Sequence, residues 1–145
     1  MPKFGKASKQ RLATCHPDLQ AVLNEAIKYI DFSVVEGYRT KEDQEKYVKE
    51  NKSKTMNSKH LLQYCPEYGG MYSFAVDVVP YFSTTPHTDF EDREEFCLLA
   101  GVILGIAAKM YLEGKIKNEI RWGGKWNSVR IKNNKFVDMP HFEIK

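Results

Sequence analysis

The sequence predicts an α+β fold in which a small, mainly antiparallel sheet packs with helices. Helical stripes and short apolar strands follow one another in the order helix, strand, helix, strand, long helix and then strands. Hydrophobic residues make up 42% of the 145 positions and charged residues 28%, which is typical of a globular protein. We therefore expect a single domain over residues 1–145, large enough to bury a core without disulfides.

The first half of the chain predicts two helices with a strand between them. Residues 17–30 carry an apolar stripe, and Pro17 suits the first helical turn. Residues 32–36, FSVVE, predict a strand that Gly37 interrupts, and Thr40 predicts the N-cap of the charged helix KEDQEKYVKEN. The stripe consists of Leu19, Val22, Leu23, Ala26, Ile27 and Ile30.

The second half predicts a strand followed by a long helix. The strand covers residues 74–80, and the helix covers residues 90–112. Thr88 or Asp89 is expected to cap this helix, and Gly114 follows its end.

The C-terminal segments EIRWGG, SVRIKNNKFVD and HFEIK predict short strands joined by turns. Asn133 and Asn134 suit a hairpin turn because asparagine tolerates positive φ. The whole order indicates a small sheet built mainly from antiparallel strands.

Charge, cysteine content and hydropathy argue against several classes of protein. The net charge is +3 with basic residues spread along the chain, so no nucleic-acid partner is expected. Three cysteines without a C-x-x-C pair argue against a disulfide framework and favour a reducing compartment. The N-terminus has no apolar region typical of a signal peptide. The apolar run at 96–108 is too short to span a bilayer and predicts a buried helix, without stable membrane association.

Asp77 is a charged residue in the middle of an otherwise apolar strand. The segment FAVDVVP is apolar on both faces, which predicts a central strand around this carboxylate. A buried carboxylate requires a cation, a metal or several hydrogen-bond donors. A salt bridge to an arginine and a zinc ion are both compatible with the sequence.

A histidine and a carboxylate lie close together near the C-terminus. If HFEIK is a strand, His141 and Glu143 share one face, while Phe142 and Ile144 share the other. Asp138 lies three residues before His141, where it could contact a metal-bound water. Alternatively, Asp138 ends a turn and His141 is a partly buried edge residue.

The segments GYRT, SKH, AVDVVP, RWGGKW and DMPHFE occur in this order along the chain. Together they resemble the family of zinc D-alanyl-D-alanine carboxypeptidases and L-alanyl-D-glutamate endopeptidases, and within it the small single-domain endolysins of tailed phages. The resemblance covers nearly the whole chain and implies the fold shared by hedgehog and D-Ala-D-Ala peptidases. Each motif is short, but their joint order and the chain length make the combination fairly specific.

The resemblance implies a catalytic zinc site and a hydrolytic mechanism. His60, Asp77 and His141 would be the zinc ligands. Asp138 would be the general base, taking a proton from the zinc-bound water and delivering it to the leaving amine. Arg39 would stabilise the oxyanion.

Three further residues are implied around this site. Ser58 would support it from behind the ligands. Trp122 and Trp126 would line the substrate cleft or pack in the core. The substrate implied is the peptidoglycan stem peptide, cut at the L-alanyl-D-glutamate bond by a monomeric endolysin.

One departure concerns the spacing between two of the ligands. The family pattern is H-x-x-G-x-A-x-D, whereas sixteen residues separate His60 from Asp77 here and Ser73 replaces the glycine. About ten residues, QYCPEYGGMY at 63–72, look inserted. The insert could be a passive bulge or a lip over the cleft, and Cys65 within it could compete for the metal.

Other functions remain compatible with the sequence. They are a D-alanyl-D-alanine carboxypeptidase, a non-catalytic zinc-stabilised wall-binding module and a small basic nucleic-acid binder. For the endolysin, we expect synthesis in the host cytoplasm without a signal peptide. It would then act on the cell wall in the periplasm after membrane permeabilisation, and a Gram-negative host is a hypothesis.

Overall fold

Helices and a small antiparallel sheet form the chain, which confirms the predicted α+β class. The computed structural model describes residues 1–53, 55–128, 130–133 and 137–145. The helices are α1 (Lys6–Leu12), α2 (Pro17–Ala26), α3 (Lys41–Lys49) and α4 (Arg93–Leu112). The strands are β1 (Phe32–Glu36), β2 (Leu62–Tyr64), β3 (Met71–Ser73), β4 (Ala75–Pro80), β5 (Ile120–Trp122) and β6 (His141–Ile144).

The main sheet has the strand order β1-β4-β6-β5, and each neighbouring pair is antiparallel. Strand β4 is therefore central, as its two apolar faces predicted. Asp77 on β4 is opposite His141 on β6, and Val76 is opposite Phe142. This register places the first pair on one face of the sheet and the second pair on the other.

The apolar face of the sheet packs against α4, and α4 packs in turn against α2. Val76, Val78, Phe142 and Ile144 belong to this core, together with the predicted stripe of α2. Because successive side chains of β4 and β6 point to opposite faces, the polar residues of these strands lie on the other face of the sheet. The fold thus supports a polar site on a rigid, well-packed sheet.

Helix α4 begins later than predicted. Asp92 caps it by accepting a hydrogen bond from the Glu95 amide at 3.2 Å, so the expected cap at Thr88 or Asp89 is wrong. Asp89 instead accepts from the Glu91 amide within the preceding loop. Gly114 adopts a φ of 73° just beyond the helix end, as expected for a left-handed cap.

Helix α4 also has the length and apolar composition of a membrane span, and within the described ranges it is the one helix that does. Phe96, Leu99 and Ile103 are nevertheless buried in the core, as predicted for the apolar run. Because the core helix of a globular protein has the same composition, this resemblance to a span is a weak indication.

Two regions differ from the sequence-based prediction. Helix α1 was not predicted, because KASKQRL lacks an extended apolar stripe. After β5 the chain forms 3-10 helices at Gly123–Ser128 and Ile131–Asn133 instead of continuing as strands. The predicted turn at 133–134 reaches beyond the described residues.

The inserted segment forms a β-hairpin. Strands β2 and β3 pair antiparallel, with Tyr64 opposite Met71. Gly69 and Gly70 have φ values of 73° and 90° in the connecting turn, which only glycine adopts readily. The Cys65 amide closes the turn by donating to the Gly70 carbonyl at 2.9 Å.

Candidate metal centre

Three side chains from separate parts of the chain meet on the polar face of the sheet. Asp77 Oδ1 lies 3.2 Å from His60 Nε2 and 3.2 Å from His141 Nδ1. The register of β4 and β6 brings two of them together, and the loop before β2 supplies His60. The insert therefore does not separate His60 from Asp77.

The outer nitrogen of each imidazole is already engaged. His60 Nδ1 lies 2.8 Å from the Gly37 carbonyl oxygen, and His141 Nε2 lies 2.8 Å from Glu143 Oε1. Because both partners only accept hydrogen bonds, these nitrogens carry the protons. In the neutral rings, the nitrogens that face Asp77 therefore present lone pairs.

Three electron-rich atoms that face one another require a proton or a cation between them. Burial would raise the pKa of Asp77, but hydrogen bonds from His141 and His60 hold it well below its usual range. Burial would lower the pKa of His141, but Asp77 and Glu143 raise it to about 9. The group can hold a metal ion, since its ligand atoms all lie within 4.8 Å of one another.

Asp138 lies at the edge of this group. Its Oδ2 is 3.9 Å from His141 Nδ1, and its side chain is 52% exposed. Burial and the nearby charge of Asp77 raise its pKa. The backbone holds it in place, because its amide donates to the Gly123 carbonyl at 2.9 Å.

Arg39 also lies next to this group. Its Nη2 lies 3.9 Å from Asp77 Oδ2, and its Nη1 donates to Gln44 Oε1 at 2.7 Å. Its Nε donates to Glu36, and the guanidinium carbon lies 4.4 Å from the centre of the Tyr47 ring. The salt bridge anticipated for Asp77 is therefore long, and the two imidazoles are its nearer partners.

Gly37 shapes the support of His60. The pairing of β1 with β4 shifts register between Val34 and Glu36, and such a bulge redirects the chain at its end. A Cβ at Gly37 would meet the Arg11 carbonyl oxygen at 2.5 Å. Only a residue without a Cβ fits at position 37, and the Gly37 carbonyl can therefore reach the His60 imidazole.

The remaining predicted residues divide between the support and the wall of the site. Ser58 Oγ accepts from the His60 amide at 3.1 Å. Trp122 is buried, stacks on Phe142 and donates from Nε1 to the Met139 carbonyl at 2.7 Å. The Trp126 ring centre lies 5.7 Å from that of His141. Trp126 thus borders the cleft, whereas Trp122 packs beneath it.

Glu143 is a site residue whose role the sequence analysis missed. Besides His141, it contacts Lys59 Nζ at 3.2 Å and Arg121 Nε at 2.9 Å. Burial would raise its pKa, but His141 and Lys59 lower it to about 2. The alternation of HFEIK had placed Glu143 on the face of His141, and that was the signal available.

A cleft of about 460 Å³ opens beside these residues. Its walls come from α3, the loop after it, and strands β4, β5 and β6. The residues named above that line it are Arg39, Tyr47, Ser58, Lys59, His60, Asp77, Arg121, Trp126, Asp138, His141 and Glu143.

A second group, His16, Cys65 and Glu67, could also hold a metal by its spacing. However, His16 Nδ1 accepts a hydrogen bond from the Asp18 amide at 3.0 Å, so its proton lies on Nε2, which faces the Cys65 sulfur at 3.3 Å. Burial raises the pKa of Cys65 and lowers that of His16. His16 and Cys65 are therefore neutral, and the Cys65 thiol donates in turn to Glu67 Oε2 at 3.3 Å, so the three residues form a hydrogen-bonded chain. Through the same contact with the Asp18 amide, the buried His16 caps helix α2.

Further contacts next to these residues fix the insert, residues 63–72, to the body of the protein. Tyr68 donates from its hydroxyl to the buried Asp18 at 2.6 Å, and Lys117 Nζ lies 4.5 Å from the Tyr68 ring centre. Within the described part of the chain, no residue of the 63–72 insert lines the cleft. The hairpin is thus an anchored element beside the helices, and Cys65 points to His16 rather than to His60.

Comparison with known proteins adds an independent observation. A family model described as "Phage L-alanyl-D-glutamate peptidase" matches residues 1–145. The "L-alanyl-D-glutamate peptidase" of Escherichia phage T5 is 29% identical over 134 residues, which cover 87% of this chain and 82% of that protein.

A solved structure gives the corresponding result for the fold. The crystal structure of the Serratia marcescens L-Ala D-Glu endopeptidase ChiX is similar with a TM-score of 0.73 and 27% sequence identity. The similarity covers 99% of this chain and 90% of that chain. The arrangement of helices and sheet is therefore shared over almost the full length.

Proposed function

Since the chain belongs to the phage L-alanyl-D-glutamate peptidase family, we propose that it cuts this bond with a zinc ion held by His60, Asp77 and His141. Membership makes it a peptidoglycan-hydrolysing endopeptidase, so the predicted family and the predicted peptidase function are confirmed. The proposal adds the metal and the roles of individual residues.

One observation carries the metal assignment. Two imidazole lone pairs and a carboxylate oxygen converge, and each ring is oriented from behind by an acceptor. Two histidines and one carboxylate leave one tetrahedral position open, which is typical of catalytic zinc sites. When bound there, zinc would supply a Lewis acid and lower the pKa of a coordinated water to about 7.

Asp138 is suited to move the proton in this reaction. It lies near His141 but remains half exposed to the cleft, so it reaches both solvent and a bound peptide. Its raised pKa makes it a better proton acceptor than an ordinary aspartate, and the captured proton can then pass to the leaving amine, which is the stronger base. Asp138 is therefore the proposed general base and, in the second step, the general acid.

Arg39 is suited to stabilise the negative charge that develops on the carbonyl oxygen. Glu36, Gln44 and Tyr47 fix its guanidinium before substrate binds. A preoriented cation lowers a barrier because little reorganisation is required during the reaction. The retention of both Arg39 and Asp138 favours catalysis over a purely structural metal site.

Three residues have supporting roles in this proposal. Ser58 holds the backbone of His60, and Trp122 holds the Met139 carbonyl beside Asp138. Trp126 offers an aromatic wall to the stem peptide.

We also propose that residues 1–145 act as a single catalytic domain and a monomer. Free thiols at Cys15, Cys65 and Cys97 are compatible with synthesis in the reducing host cytoplasm. Access to the cell wall in the periplasm would then follow membrane permeabilisation. Light scattering of the purified protein tests the monomer, and a dimer at working concentration would contradict it.

The function is tested by following new amino termini released from purified peptidoglycan. Protein stripped with a chelator should be inactive, and zinc should restore activity. Mass analysis of the products should show cleavage between L-alanine and D-glutamate. Full activity of the stripped, verified metal-free protein would overturn the zinc assignment.

A further inference from the structure

The cleft beside the candidate metal centre carries an excess of positive charge. Among the residues that the structure describes, four basic side chains line it against three carboxylates, and a bound divalent cation would add to the excess. The basic residues are Arg39, Lys52, Lys59 and Arg121, and the acidic ones are Asp77, Asp138 and Glu143. Such a cleft attracts an anionic ligand.

Arg121 is the basic residue best arranged to bind a carboxylate from the cleft. Its Nε donates to Glu143 at 2.9 Å, and its guanidinium carbon lies 4.8 Å from the Trp126 ring centre. These two contacts fix the plane of the guanidinium, while the side chain remains 53% exposed. Neither of these contacts uses the two terminal nitrogens of Arg121. Within the described part of the chain, these two nitrogens therefore remain available to a ligand. A fixed planar fork matches the geometry of a carboxylate.

The other basic residues are less suited to this task. Arg39 has a 10% exposed side chain and is directed at the metal-binding group. Lys59 has a single ammonium group, which already contacts Glu143 at 3.2 Å and donates to the Ile144 carbonyl. Lys52 is 66% exposed and pairs with Glu50 on the surface, so its position is poorly fixed.

The substrate supplies a carboxylate at the appropriate place. Glutamate has two carboxyl groups, and the stem peptide continues through only one of them. The other stays free and lies within one residue of the scissile amide. Arg121 is connected to the metal-binding group through Glu143 and His141 and lines the same cleft, so a carboxylate next to the scissile amide would enter the cleft that Arg121 borders.

We propose that Arg121 binds the free carboxylate of the glutamate residue and so selects substrates in which this group is ionised. The inference rests on the proposed function, because it places the scissile amide at the metal-binding group. It assigns Arg121 to substrate recognition and leaves the chemical step to other residues. Glu143 then has two partners to orient, His141 for the metal and Arg121 for the substrate.

Two stem peptides test the proposal, one with the free glutamate carboxylate and one with that group converted into the amide. For the wild type, we expect kcat/KM to be about 10- to 100-fold higher for the acid, mainly through KM, since a hydrogen bond to a charged group is lost in the amide. Arg121→Gln should reduce this ratio to about one, and Arg121→Lys should retain part of it. Lys125→Gln removes a charge from the adjacent exposed segment and should keep the wild-type ratio.

Failure of this inference can be distinguished from failure of the proposed function. Binding of both peptides is also measured by calorimetry on the metal-free protein, where no cleavage is expected. Preference for the acid that depends on Arg121 would support the inference even if zinc proved unnecessary for cleavage. Equal kcat/KM values for the acid and the amide in the wild type would overturn the inference. An unchanged acid-to-amide ratio in Arg121→Gln would overturn it as well.

Discussion

His141 and Glu143 form a hydrogen bond of 2.8 Å across one face of β6, and it fixes which imidazole nitrogen faces Asp77. The two residues are separated by one position, so the pleat of the strand alone brings their side chains to the same face. Glu143 is held in turn by Lys59 and Arg121. The orientation of the candidate ligand is thus determined by a chain of charged contacts.

We predict that Glu143→Gln weakens zinc binding about 10- to 100-fold. The amide can still contact His141 but no longer favours the tautomer as strongly as a carboxylate does. Competition with a chromogenic chelator measures the affinity. Glu119→Gln, which removes a carboxylate paired at the surface with Lys145, is the matched control and should bind like the wild type. Equal affinity of the two variants would contradict this role.

We predict that Asp138→Asn retains zinc but lowers kcat by about 10²–10⁴-fold. The asparagine occupies the same space but cannot take a proton. Initial rates on a stem peptide and metal analysis of the same sample measure the two effects. Asp89→Asn changes an exposed loop carboxylate away from the cleft and should preserve kcat. An active Asp138→Asn enzyme with bound zinc would exclude Asp138 as the base.

We predict that the metal-free protein loses stability as the pH rises above neutrality. The folded-state pKa of His141 is about 9, compared with an ordinary 6.5. Its contribution is therefore complete below pH 6.5 and is lost as the pH rises to 9. Glu143, with a pKa of about 2 instead of 4.5, contributes above pH 4.5 and loses its contribution towards pH 2.

Thermal unfolding in a chelator across this pH range measures the effect. His141→Gln should flatten the alkaline limb, because the titrating group is absent. Zinc-loaded protein should also lack that limb, since the metal replaces the proton. A wild-type metal-free protein whose melting temperature stays constant from pH 6.5 to 9 would contradict the assignment.

We predict that Tyr68→Phe lowers the free energy of unfolding by about 1–2 kcal/mol without changing kcat. Its hydroxyl bonds the buried Asp18 at 2.6 Å, and the hairpin it belongs to does not line the cleft. Urea unfolding and peptide hydrolysis measure the two quantities. Tyr64→Phe, at a 63% exposed position of the same hairpin, should change neither. If Tyr68→Phe were fully folded under the assay conditions and still had a lower kcat, the insert would affect the cleft.

Much of the site follows from strand periodicity. The apolar run around Asp77 predicted a central strand, and the alternation of HFEIK predicted that His141 would face away from the core. Both features depend on local pattern and register, so the sequence contains them. The resemblance supplied Arg39 and His60 as site residues, and it gave Asp138, already noted from its spacing to His141, the role of general base.

The remainder depended on contacts that local patterns do not specify. The position of His60 after an insertion depends on Gly37, whose carbonyl reaches the imidazole across 23 positions of sequence. Trp122 and Trp126 have similar sequence surroundings, yet Trp122 is buried and donates to the Met139 carbonyl, whereas Trp126 borders the cleft. The 3-10 helices after β5 replace expected strands because tertiary packing at Gly123, against Asp138, overrides strand propensity there.

The zinc content of purified, dialysed protein, measured by plasma mass spectrometry, tests directly whether His60, Asp77 and His141 hold a metal. The wild type and Cys65→Ala should each retain about one zinc per chain, because Cys65 belongs to the hydrogen-bonded chain with His16. His60→Ala should lose the metal, since one of three converging ligands is removed. Retention of one zinc per chain by folded His60→Ala would contradict the central claim.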